Sequence, residues 1–152
     1  MKKFLSFAIA AIICLGMASC SKKESTASEP SYNLVGTWSL TDAKASFGDG
    51  SLSLNANSVI LKEDKTGEIS YKNLFQTEET AKFAWTIEGN QLVLTDPENE
   101  LKGLFVGLTV PAPLKLDIKN YTDAGFDIAS TFTAQQDGKD LVITLTGHFT
   151  RK

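Results

Sequence analysis

From Leu34 onward the chain alternates apolar and polar residues with a period of two, and no stretch carries a helical period of comparable strength. A period of two sends successive side chains to opposite faces of an extended strand, so the pattern describes strands with one face buried and one in water. Leu34, Gly36, Trp38 and Leu40 share one face of a first strand, with Val35, Thr37, Ser39 and Thr41 on the other. Val59 and Leu61 run into the turn Asp64-Lys65-Thr66-Gly67, after which Ile69 and Tyr71 alternate with Glu68, Ser70 and Lys72. The glycine offers the positive φ that a tight hairpin wants. Ala81, Phe83, Trp85 and Ile87 lead through Glu88-Gly89-Asn90 into Leu92 and Leu94, and Leu114, Leu116 and Ile118 mark a further strand. Phe126, Ile128 and Phe132 share a face, as do Leu141, Ile143, Leu145 and Phe149 beyond the turn at Asp137-Gly138-Lys139.

Eight strands follow from this reading, near 34–41, 58–63, 67–72, 80–87, 91–95, 113–119, 125–134 and 140–150. The expected fold is all-β, a single antiparallel up-and-down β-barrel spanning 33–152. A sandwich fits the same alternation, but closure into a barrel removes the strand edges that invite aggregation. Two stretches escape the pattern. Residues 44–57 read as a long glycine-bearing connection with Phe47, Leu52 and Leu54 at strand-like spacing. Residues 101–113 hold a nearly unbroken apolar run, Leu104, Phe105, Val106, Leu108 and Val110, closed by Pro111 and Pro113. That run is either an extra buried strand or short helix plugging one barrel end, or a mobile lid or partner-binding surface.

The residues before the barrel say where such a domain resides. Met1-Lys2-Lys3 is a positive n-region, and Phe4 to Gly16 is an uncharged apolar run. That run is shorter than the roughly 20 residues of a membrane span. It ends at Met17-Ala18-Ser19-Cys20, which resembles the lipobox of bacterial lipoproteins. The resemblance implies that residues 1–19 are a signal peptide and that the Cys20 thiol takes a diacylglyceryl group. At about 0.8 kcal/mol per buried CH₂, two or three acyl chains make a lasting membrane anchor. Residues 20–32, polar and without a hydrophobic period, are expected to serve as a flexible tether averaging about 20 Å and reaching at most about 40 Å. Ser21-Lys22-Lys23 lacks the acidic run that resembles a surface-export signal, so the expected site is the outer membrane, facing the periplasm.

The chemistry open to the mature domain is narrow. Cys14 leaves with the leader and Cys20 carries lipid, so no thiol remains for a disulfide or a metal in the barrel. Of 15 basic residues the leader takes Lys2 and Lys3, leaving 13 against 18 acidic ones, a net charge of −5. No basic stripe for nucleic acid is present. His148 is the only histidine, on the outward face of the last strand, so no N/S zinc site is expected, and no nucleophile–base pair stands out. The acidic turn 96–100 lacks the glycine and spacing of a calcium loop. Neither catalysis nor a cofactor is therefore expected.

Gly36-Thr37-Trp38 at the head of the first strand, within Leu-x-Gly-Thr-Trp, resembles the lipocalin and lipocalin-like families, including lipoproteins common among Bacteroidetes. The resemblance runs from Leu34 to Lys152. It implies that Trp38 packs across the closed end of the barrel and that Arg151, the only arginine, lies over its indole. Tyr121-Thr122-Asp123 is only loosely similar to the second lipocalin motif, and a generic turn explains it equally well. An eight-stranded barrel is either filled by its own side chains or holds one small ligand. If it holds one, Tyr71, Phe83, Trp85, Phe126, Phe132 and Leu145 are the candidate lining residues. The expected role is then non-catalytic binding of a small hydrophobic molecule. The alternative is an interaction or inhibitor module that meets an envelope protein.

Overall fold

The half-buried alternation forms antiparallel strands throughout the computed structural model, which describes residues 31–96, 98–105 and 107–152. The expected signal peptide, Cys20 and the expected tether as far as Pro30 lie outside the described residues. The strands are β1 (Gly36–Phe47), β2 (Gly50–Ser53), β3 (Ala56–Leu61), β4 (Thr66–Lys72), β5 (Glu78–Glu88), β6 (Gln91–Thr95), β7 (Leu114–Lys119), β8 (Gly125–Gln136) and β9 (Lys139–Arg151). Each of β3 to β8 pairs with the next, and β1 pairs with β2, β3 and β9. Eight strands thus close an up-and-down barrel, with β2 as a short addition.

The stretch 44–57, expected to be a connection, is instead the outer part of a hairpin. β1 runs on to Phe47, turns at Gly48-Asp49, and returns as β2 and then β3 in one register, with Gly36 opposite Leu61 and Phe47 opposite Gly50. A bulge hid this continuity in the sequence. Thr41 pairs with His148, but the next pair is Lys44 with Thr146, and Asp42 sits between them at φ 52°. The extra residue moves the inward set from Trp38 and Leu40 to Ala43 and Ala45, which breaks a strict period of two.

The two barrel ends differ. At the end where β1 begins and β9 finishes, Trp38 is fully buried, edge-on to Phe126 at 4.9 Å, and Phe126 stacks on Phe149 at 4.5 Å. Arg151 faces Trp38 across the β1–β9 ladder, its guanidinium carbon 4.2 Å from the indole centre. It also donates to the carbonyls of Asn33, Val35 and Asp123 at 2.6, 2.8 and 2.7 Å. Trp38 Nε1 donates to the Leu34 carbonyl at 2.8 Å. Gly36 permits this arrangement, because its φ is 143° and a Cβ there would lie 2.8 Å from an Arg151 nitrogen. The chain arrives at this same end, where Tyr32 packs edge-on against Tyr121 at 5.0 Å.

The other end carries the turns at 48–49, 73–77 and 137–138, together with the long β6–β7 connection. β6 and β7 are short and fail to reach it. β5 pairs with β6 only from Ala84 to Glu88, and β7 pairs with β8 only over Asp127–Ala129. A window is left between the outer halves of β5 and β8, three strand spacings or about 14 Å wide. The β6–β7 connection fills it.

Candidate functional site

The connection, here called the strap (residues 96–113), is shaped by its own polar residues. Both oxygens of the Asp96 carboxylate accept backbone N–H groups, from Glu100 at 2.9 Å and Leu101 at 2.7 Å, and a single 3₁₀ turn, Glu100–Gly103, follows. The Glu100 carboxylate takes the Lys82 N–H of β5 at 2.6 Å, standing where a neighbouring strand would put a carbonyl. On the opposite side Thr109 and Gln135 of β8 exchange two backbone hydrogen bonds of 2.9 Å each. The acidic turn of the sequence thus serves as a backbone cap. These groups hold the strap across the window with few bonds at each edge.

Beneath the strap the barrel interior is apolar throughout. A cavity of about 50 Å³ is enclosed by 17 side chains, all apolar, from the eight barrel strands, the β2–β3 link and the strap itself. Leu40, Leu61, Ile69, Leu92, Leu116 and Ile128 form its wall, while Leu101, Leu104 and Phe105 reach in from the strap. Such a wall offers no partner to a buried hydrogen-bonding group, so whatever occupies it must be apolar.

The six candidate lining residues divide. Phe83 and Leu145 line the cavity; Tyr71, Trp85, Phe126 and Phe132 do not. Trp85 is buried under Lys65, 4.2 Å from its ring, with Nε1 on the Thr66 carbonyl at 3.0 Å. Phe126 belongs to the Trp38 stack. Phe132 is half-buried and edge-on to Phe105 at 6.5 Å. Those four thus close the ends and edges, and the mid-barrel wall is mainly aliphatic, with Phe83, Phe105 and Phe149 as its aromatic members. Height along the barrel decides this, and single-strand alternation carries no information about height.

Tyr71 stands at the outer end, beside the strap. Its hydroxyl donates to Glu79 at 2.8 Å, and Gly103 approaches so closely that a Cβ there would collide with the hydroxyl. Burial, and next the Glu79 hydrogen bond, push the Tyr71 phenol up to about 12. An open cleft runs from Tyr71 to Gly107 along the strap, and its outer lip is the turn residues Leu74 and Phe75, 70% and 87% exposed.

The residues offered as a lid or partner surface are not an exposed patch. Leu104, Phe105 and Leu108 are buried and Val110 is half-buried, while Val106 lies outside the described residues. The side chains of Leu104, Phe105 and Leu108 are packed into the core. His148 lies on the outer face as the register requires, with Nδ1 2.6 Å from Asp127 Oδ1. Asn120 donates to the other Asp127 oxygen at 2.7 Å, and the Asn120 bond first, then His148, holds that carboxyl below its usual range.

A closed eight-stranded barrel, with the first-strand tryptophan under an arginine from the last strand, defines a lipocalin-like fold. A lipocalin-like protein from Bacteroides uniformis has the same fold, with a TM-score of 0.52 over 78% of this chain and 98% of its own, at 12% sequence identity. An uncharacterized protein from Bacteroides eggerthii aligns over the same shares at 12% identity with a TM-score of 0.48. No protein-family model matches the chain, and no curated protein matches it.

Proposed function

We propose that the protein is a lipid-anchored, non-catalytic binding module, tethered through Cys20 to the outer membrane and facing the periplasm, whose barrel takes a small hydrophobic ligand. The observation that carries this reading is the wall of 17 apolar side chains around the interior, partly supplied by a strap rather than by the barrel. Sealing a barrel permanently would take only longer β6 and β7 strands. A strap held at its edges by one carboxylate and one two-bond bridge leaves the interior recoverable. The chain reaches the barrel at the Trp38 end, so a tether rising from the membrane leaves the strap end pointing away from its own anchor.

The test is native mass spectrometry of the full chain purified from its own envelope. The reading expects the lipidated polypeptide plus a co-purifying apolar molecule that collision releases. A second reading, an interaction module with a filled barrel, is favoured by the small cavity volume of about 50 Å³. It expects instead a second polypeptide, and finding neither would overturn both.

A further inference from the structure

We propose that the strap is a displaceable gate, and that an apolar ligand reaches the barrel interior sideways, between β5 and β8, to lie where Leu104, Phe105 and Leu108 now lie. The proposal rests on the ligand-binding reading for what passes through, and on geometry alone for the gate. Three features converge. First, the resting cavity of about 50 Å³ is smaller than the roughly 150 Å³ that holds a benzene ring, so a ligand must displace something. Second, among the described residues the strap is the long wall segment not held by a strand ladder. Among the described residues, its ties to the barrel backbone are Glu100 to Lys82 on β5 and Thr109 to Gln135 on β8. The wall strands themselves are fixed by continuous pairing, 12 residue pairs between β8 and β9 alone. Third, the exposed Leu74 and Phe75 stand on the same cleft as Gly103 and Gly107, giving an apolar threshold next to the strap. Gly107, at φ 81° with open space around its α-carbon, is a point at which the strap can bend.

The ligand class follows from the same surfaces. Its buried body carries no hydrogen-bonding group, because the wall has none to offer. Any polar end remains in the cleft, where Tyr71, Glu79 and Lys102 are available. A planar or slender apolar body that matches the volume of the withdrawn strap side chains is what the interior accepts.

Thr109 and Gln135 give a direct test, since they face each other as a mutually bonded pair, whose α-carbons lie about 5.5 Å apart. That spacing suits a disulfide. In T109C/Q135C, with Cys20 blocked by its lipid, oxidation pins the strap and a reductant frees it. The full-length protein in native membranes is irradiated with an iodophenyl diazirine, an apolar carbene source, and the labelled residues are mapped. The proposal expects label on cavity residues such as Leu116 and Leu145 in the wild type and the reduced variant, falling at least tenfold on oxidation and returning on reduction. Equal cavity labelling of oxidised and reduced forms would overturn the sideways route. Hydrogen exchange tests the gate without a ligand: the bonded amides of Leu101, Leu104, Thr109 and Gln135 are expected to exchange at least 100-fold faster than the β9 ladder. Exchange in step with β9 would overturn the gate. Fast strap exchange with no cavity label in any form would instead overturn the ligand-binding reading and the sideways route with it.

Discussion

Replacing Phe105 with alanine probes whether the strap is packed as core or merely laid over it. The ring is 2% exposed and borders a void of about 50 Å³. Its removal adds roughly 100 Å³, which at about 24 cal/mol per Å³ is ~2.4 kcal/mol of cavity cost. The lost transfer free energy of the ring adds ~2 kcal/mol, for about 4 kcal/mol in all. Because the strap can open on its own, the loss cannot exceed the strap's own opening free energy; beyond that point the open barrel becomes the folded state. An observed loss of about 3 to 4 kcal/mol in urea denaturation is expected, with m unchanged. The enlarged cavity reaches the size that holds benzene. At ten times its dissociation constant for the variant, benzene would restore about 1.4 kcal/mol, near 5 °C in Tm, and at the same concentration it would do less for the wild type, where it must first displace the strap. A loss below about 1 kcal/mol, with no response to benzene, would refute the packing described for Phe105.

Arg151→Lys should cost about 2 kcal/mol by chemical denaturation, because lysine cannot span three carbonyls and stack on Trp38 at once. Tyr71, raised from 10.0 to about 12 by burial and then by Glu79, contributes stability that is complete below pH 10 and lost as pH rises toward 12. Tyr71→Phe should therefore flatten the alkaline limb of a Tm-against-pH curve. The Asp127 carboxyl, held down by Asn120 and then His148, contributes stability present above about pH 4 and lost as pH falls through its lowered value. Asn120→Ala should move its NMR titration midpoint back up toward 3.8. Gly36→Ala should destabilise by about 1–3 kcal/mol, read in the same denaturation assay, since alanine at φ 143° is strained and would crowd Arg151.

The strands were legible because each buries one face, and that constraint writes itself into the sequence residue by residue. Trp85, Phe126, Leu145 and their neighbours turn inward as their alternation indicates. The outer part of β1 was not legible, because the bulge at Asp42 shifts the inward set by one residue and makes a strand read as a connection. The cavity wall was harder still. Which inward residues meet at one height depends on the stagger between strands, a property of pairs that no single segment carries. The strap stood out as an apolar run, but its position over a window depends on β6 and β7 stopping short. Asp96 and Glu100 had no sequence signal beyond acidity; their roles as backbone acceptors exist only once the strap is folded.

Methyl NMR of the Leu- and Ile-labelled protein, titrated with N-phenyl-1-naphthylamine, tests the central claim most directly. If the apolar interior under the strap is the binding site, shifts concentrate on the methyls of Leu104, Leu116, Ile128 and Leu145, with Leu34 at the closed end unaffected. Shifts confined to the exposed Leu74, with the cavity methyls unmoved, would contradict it.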